Sequence, residues 1–117
     1  MRAIAILVPV ALATLASAPA SAQSFSGAEL ILAGNLAGAE REIAEQRRLF
    51  PHDADLLVNL ARVYEGQGRM ADARGLYRQV LARPDEDLVL STGALRSAHR
   101  IAADGMRRIA AGTIAAR

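Results

Sequence analysis

The stretch NLARVYEGQGRMADARGLYRQVLARPD, residues 59–85, contains no residue that obviously does chemistry. Its apolar and small residues, however, fall at regular places. Leu56, Leu57, Leu60, Val63 and Tyr64 form a stripe at helical spacing, with Asp53 and Asp55 upstream as caps. Gly66-x-Gly68 interrupts that stripe, and Met70, Ala73, Leu76, Tyr77, Val80 and Leu81 start a second one. Pro84 then stops the chain, because proline lacks an N–H and disfavours helix in the residue before it. Two helices folded back on each other are therefore predicted.

Sliding the chain on itself by 34 residues extends the pattern: Leu30 lands on Tyr64, Gly34 on Gly68, Leu36 on Met70, Ala39 on Ala73 and Ile43 on Tyr77. Pro84 falls one residue short of the place that Pro51 would take. Leu36, Ala39, Ile43 and Phe50 make a third stripe, ended by Pro51. A fixed period of this length marks stacked helix pairs.

The second copy reads Leu57-x-x-Leu60-Ala61-x-x-Tyr64, then Ala73-x-x-x-Tyr77, then Pro84. This resembles the tetratricopeptide repeat, whose pattern is W-x-x-L-G-x-x-Y, then A-x-x-x-F, then P. Leu57 replaces the aromatic start and Ala61 the Gly, and both substitutions keep the size logic. The resemblance implies an all-α fold of antiparallel helix pairs. Ala73 would let a neighbouring helix approach, and Tyr77 would fill the gap between pairs. About one and a half repeats are expected over residues 23–87. The first helix of the earlier copy is cut to a stub, Ala28 to Ala33, with Ser26-x-x-Glu29 as its capping box.

The period fails beyond Asp87. Leu88-Val89-Leu90 is apolar and rich in strand formers, and Ser91-Thr92-Gly93 reads as a turn. A short hairpin over 88–96 is the preferred reading, with a degenerate helix as the alternative. From Ser97, Ala98, Ile101, Ala102, Gly105 and Ile109 share one narrow face, with Arg100 and Arg107 opposite. A helix stack needs an end piece that buries one face and keeps the other wet, so a capping helix is expected.

Residues 1–22 read as a cleaved leader. Met1-Arg2 is positive, Ala3 to Leu15 is apolar, and Ala20-Ser21-Ala22 is an A-x-A cleavage site. The apolar run of thirteen residues, broken by Pro9, is shorter than the ~20 a membrane span needs. Export to a bacterial periplasm, or secretion, follows as an expectation. All 14 basic residues are Arg, a usage associated with GC-rich bacterial genomes. Residues 23–90 hold eight Arg and eleven acids, net −3, while 91–117 hold five Arg and one acid, net +4.

No catalytic constellation is expected. Cysteine is absent, which rules out thiol chemistry and disulfides. His52 and His99 are isolated, so neither a metal site nor a cofactor is expected. Asp85-Glu86-Asp87 lacks the alternating spacing of a calcium loop. An acidic body with two Tyr and two Phe argues against nucleic-acid binding.

What the resemblance implies instead is protein or peptide binding, in a groove lined by the first helix of each pair. Its groove-facing positions here are Asp55, Val58, Asn59, Arg62 and Glu65. Some family members use an Asn at the place of Asn59 to hold a peptide backbone or terminal carboxylate, with basic residues from adjoining repeats. Ala28 and Ile31 stand at the matching upstream places, a departure that speaks against such a clamp. Two further surfaces are candidates: an Arg face of Arg96, Arg100, Arg107, Arg108 and Arg117 for anionic lipid or polymer, and the stub residues Phe25, Leu30, Ile31 and Leu32 for a homodimer.

Overall fold

A computed structural model describes residues 27–90 and 92–115. The leader, Phe25, Ser26 and Arg117 lie outside the described residues. Five helices and one hairpin follow in order: α1 (Ala28–Leu32), α2 (Leu36–Leu49), α3 (Ala54–Gly66), α4 (Met70–Leu81), β1 (Asp87–Val89), β2 (Leu95–Ser97) and α5 (Ala98–Ala115). The helices pack as antiparallel pairs, as the repeat pattern requires.

The 34-residue period is visible in the backbone itself. Gly34 and Gly68 both take φ +77°, a left-handed conformation that costs a side chain strain. Gly34 N donates to Ile31 O at 3.0 Å and Asn35 N to Leu30 O at 2.9 Å. One period on, Gly68 N donates to Glu65 O at 3.1 Å and Arg69 N to Tyr64 O at 2.8 Å. Each pair of bonds is a Schellman motif that satisfies the orphan carbonyls at a helix end and reverses the chain.

The helix starts differ more. Asn35 caps α2 by accepting from Gly38 N at 3.0 Å, and Asp53 caps α3 by accepting from Asp55 N at 2.9 Å and Leu56 N at 3.4 Å. Gly27, without a side-chain bond, stands at the N-cap of α1. Arg69 precedes α4 and makes no cap; its guanidinium pairs with Asp72 at 3.1 Å and Glu40 at 3.0 Å and lies over the Tyr64 ring.

The core runs along α3, which buries Ala54, Leu56, Leu57, Val58, Leu60, Ala61 and Val63. On one side α2 adds Ala39 and Ile43; on the other α4 adds Ala73, Leu76, Tyr77 and Val80. Three members of the expected stripes are corrected. Phe50 is 53% exposed because α2 ends at Leu49 and Pro51 forbids its continuation, so Phe50 leaves the helical register. Met70 and Leu81, at the two ends of α4, have no helix over them among the described residues and remain 40% and 38% exposed.

Beyond Pro84 the chain forms the expected hairpin, with Asp87 opposite Ser97, Leu88 opposite Arg96 and Val89 opposite Leu95. Leu88 is buried against the helices; Val89 and Leu95 face solvent. The hairpin leads directly into α5, which lies along α4 and also touches α3. Ala98, Ile101, Ala102, Gly105 and Ile109 are all buried, so α5 caps the stack as the sequence predicted.

It comes close to α4 at Gly105. A Cβ there would stand 2.3 Å from Tyr77 Cζ, inside the ring's van der Waals envelope. Only glycine lets α5 settle onto the aromatic ring. The start of α5 is tied down by Asp85, which accepts from Ser97 Oγ at 2.5 Å and from His99 N at 2.9 Å. Ser97 Oγ in turn accepts from Arg100 N at 3.2 Å. Asp85 is thus the staple between the end of α4 and the first turn of α5. The Ser97 hydroxyl, followed by the His99 amide, holds its carboxyl below the usual carboxylate range.

Candidate functional site

The concave side of α3 opens into a groove of about 200 Å³. Asp55, Val58, Asn59 and Arg62 lie along it, on successive turns of one face. Ala28, Ile31 and Leu32 of α1 form one wall, and Leu88, Val89, Leu90, Thr92 and Arg96 of the hairpin form the other. Ile101 of α5 joins the floor beside Val58, and both are buried. A volume of this size lies below the ~300 Å³ at which small-molecule pockets begin. It suits one or two side chains of a larger partner.

Asn59 Nδ2 donates to Asp55 Oδ1 at 3.3 Å, which orients the amide along the helix. Arg62 and Arg96 make no ion pair among the described residues. The rim is apolar as well as charged: Leu32 on one wall and Val89 on the other are 72% and 66% exposed.

Glu65, the fifth expected groove residue, is placed elsewhere. Arg108 of α5 grips it with two bonds, Nε to Oε1 at 3.3 Å and Nη2 to Oε2 at 3.2 Å. The Tyr77 hydroxyl donates to the same carboxylate, and Arg108 Nη2 reaches the hydroxyl oxygen at 3.3 Å. Burial, then the adjacent Glu65, pushes the Tyr77 phenol far above its ordinary range, so it remains a neutral donor. Three helices therefore meet in one closed polar knot. Glu65 serves the joint between α3, α4 and α5.

The four described Arg of the candidate basic surface, all exposed, differ in their partners. Arg108 is held by Glu65, and Arg107 pairs with Asp104 on its own helix. Arg96 sits at the groove, on the hairpin, while Arg100 is exposed on the first turns of α5. Of the stub residues, Leu30 and Ile31 pack against the chain's own core, and Leu32 stays in solvent. His52 is exposed in the turn after Pro51. The His99 ring nitrogen Nε2 lies 2.5 Å from Arg83 O, a bond that anchors the loop before β1. Among the described residues no group of three His, Cys, Asp or Glu could hold a metal ion, and no helix is long and apolar enough to cross a membrane.

The hairpin's share of the groove escaped the sequence reading. Leu88-Val89-Leu90 was legible as a strand, but nothing in its periodicity says which helix face it will wall. No curated protein and no solved structure matches the chain. One family model does match, that of the tetratricopeptide repeat, over residues 30–103. That span begins within α1 and covers α2 to α4, the hairpin and the first turns of the cap, well over half of the sequence. The chain belongs to the tetratricopeptide repeat family.

Proposed function

We propose that this chain is a non-catalytic binding module of the cell envelope, which holds a protein partner in the groove of α3. Tetratricopeptide repeats generally mediate protein–protein interactions. The observation that carries the reading is the groove itself: Asp55, Asn59 and Arg62 in a row over a buried apolar floor, between two walls with exposed apolar lips. Such a surface can bind side chains and orient a backbone. The envelope location rests on the leader-like residues 1–22.

Crosslinking in the native periplasm, wild type beside Asn59→Ala/Arg62→Ala, tests it. Both positions lie on the helix surface, so circular dichroism and the unfolding midpoint should stay unchanged. A crosslinked partner lost with the double variant is the expected result. A partner set that survives it would remove the groove from consideration.

The rival surface, the Arg face on anionic lipid or polymer, has thinner support. Two of its described cations are already matched by Glu65 and Asp104. Salt separates the two readings, since the Debye length falls from ~10 Å at 0.1 M to ~3 Å at 1 M, and docking by exposed charge would be lost. Self-association through the stub has Leu32 as its solvent-facing apolar side chain among the described residues. Light scattering on Leu32→Asp would reveal any dimer that depends on it.

A further inference from the structure

The groove has a second recognition element, the open edge of β1. The flanking bonds Leu90 N to Ala94 O and Ala98 N to Glu86 O, both 2.8 Å, set the phase of the ladder. In an antiparallel pair, hydrogen-bonded positions alternate. Glu86, Leu88 and Leu90 therefore turn their main-chain groups toward β2, and Asp87 and Val89 turn theirs away from it. The outward edge lies on the groove side. Leu88, Val89 and Leu90 in succession line the groove, whereas β2 contributes Arg96 alone.

We infer that the partner enters as an extended segment that adds a third strand along β1, carrying apolar side chains and at least one acidic one. This rests on the groove reading above and specifies its occupant. Strand addition gives affinity through main-chain bonds and specificity through alternate side chains. Val89 and Asp87 together offer two N–H and two C=O groups. Alternate side chains of the added strand would enter between Ile31 and Val58, within the small volume available. The acidic side chain is set by charge. Arg62 and Arg96 are the groove's two cations without an ion pair among the described residues, against the single carboxylate of Asp55, to which Asn59 donates. A helix offered to the same place would leave the β1 edge unpaired.

Selection of a random 12-residue peptide library against the full chain tests this, with each recovered peptide remeasured on variants. The expected sequences alternate apolar and polar positions and include Asp or Glu. Val89→Pro removes the outward N–H without touching the buried Leu88 side and should weaken binding about tenfold, while Val89→Thr, which keeps the N–H, should stay within about threefold. N-methylation of alternate peptide amides should abolish binding in one phase and spare it in the other. That arm decides the matter even if the Pro variant fails to fold.

Peptides sensitive to Asn59→Ala and Arg62→Ala but indifferent to Val89→Pro and to N-methylation would overturn strand addition and leave the groove standing. Peptides indifferent to all of these, or no binder at all, would overturn both readings. An i, i+4 apolar pattern among the binders would replace the strand with a helix.

Discussion

The two helix pairs share a backbone and differ in what they hold. In the first, Ile43 fills the gap; in the second, one period on, Tyr77 does, and both are fully buried. The turns before them are the same Schellman motif, and the small residues Ala39 and Ala73 are both at 0% exposure. The contrast lies in the neighbour. Ile43 meets the left-handed Gly27 at the start of a five-residue helix, whereas Tyr77 meets an 18-residue helix through Gly105 and reaches Glu65 and Arg108 with its hydroxyl. A repeat thus sets geometry through its small residues and adapts the large one to whatever is stacked on it.

The largest expected effect comes from erasing the large residue in the second pair. Tyr77→Ala should cost roughly 3–5 kcal/mol, as truncating buried aromatics does, and it removes one partner of the Glu65–Arg108 knot. That is a large part of the roughly 5–10 kcal/mol a domain of this size possesses, so urea titration should find a chain close to unfolded. Ile43→Ala, the same truncation at the first gap, should cost less, about 2–4 kcal/mol. A loss at Ile43 as large as that at Tyr77 would mean that the cap and the Glu65–Arg108 knot add nothing at the second gap.

Gly105→Ala comes next. In an exposed helix this change would stabilise by about 1 kcal/mol. Here the methyl would enter the Tyr77 ring, and overpacking of that kind costs about 1–3 kcal/mol. A fall in thermal midpoint is expected, and it should vanish in a Tyr77→Leu background, where the clash is absent. A rise in midpoint in the parent chain would show that α5 does not rest on the ring.

Tyr77→Phe should cost less, about 1 kcal/mol, because Arg108 still satisfies Glu65 when the hydroxyl is gone. A double-mutant cycle with Arg108→Met would then measure how far the three groups act together.

The smallest effect is at Asp85 and shows in its pH dependence. The folded carboxyl titrates below its unfolded value, so its contribution is complete above about pH 4 and is lost as pH falls through the folded pKa. The stability gap between wild type and Asp85→Asn should therefore be constant from pH 7 to 5 and shrink below pH 4. The amide keeps an acceptor for Ser97 or His99, so even the full gap is small. A gap independent of pH down to 2.5 would mean that charge has no part in this staple.

Much of the helical architecture was legible because it rests on local rules repeated at one spacing. Gly34 and Gly68 terminate helices by their own conformational freedom; Pro51 and Pro84 stop them by chemistry; Ala39 and Ala73 are small wherever a neighbour must come close. The hairpin was legible for the same reason, its apolar run and turn residues being adjacent in sequence. Phe50, Met70 and Leu81 misled because helical spacing continues past the point where a neighbouring helix exists to cover it. Half of the groove was legible through the resemblance to the repeat family, which implies that Asp55, Val58, Asn59 and Arg62 face it.

The remainder belongs to tertiary structure. That β1 walls the groove, that Arg96 joins Arg62 there, and that Glu65 is drawn away by Arg108, 43 residues distant, depend on how α5 seats on Tyr77. By itself the sequence determined the helix pairs, their turns and their 34-residue spacing, because each is decided among residues close along the chain. Only the packing of the cap decided which charges of distant helices meet, as Glu65 and Arg108 do, because no local periodicity encodes a contact between helices so far apart in sequence.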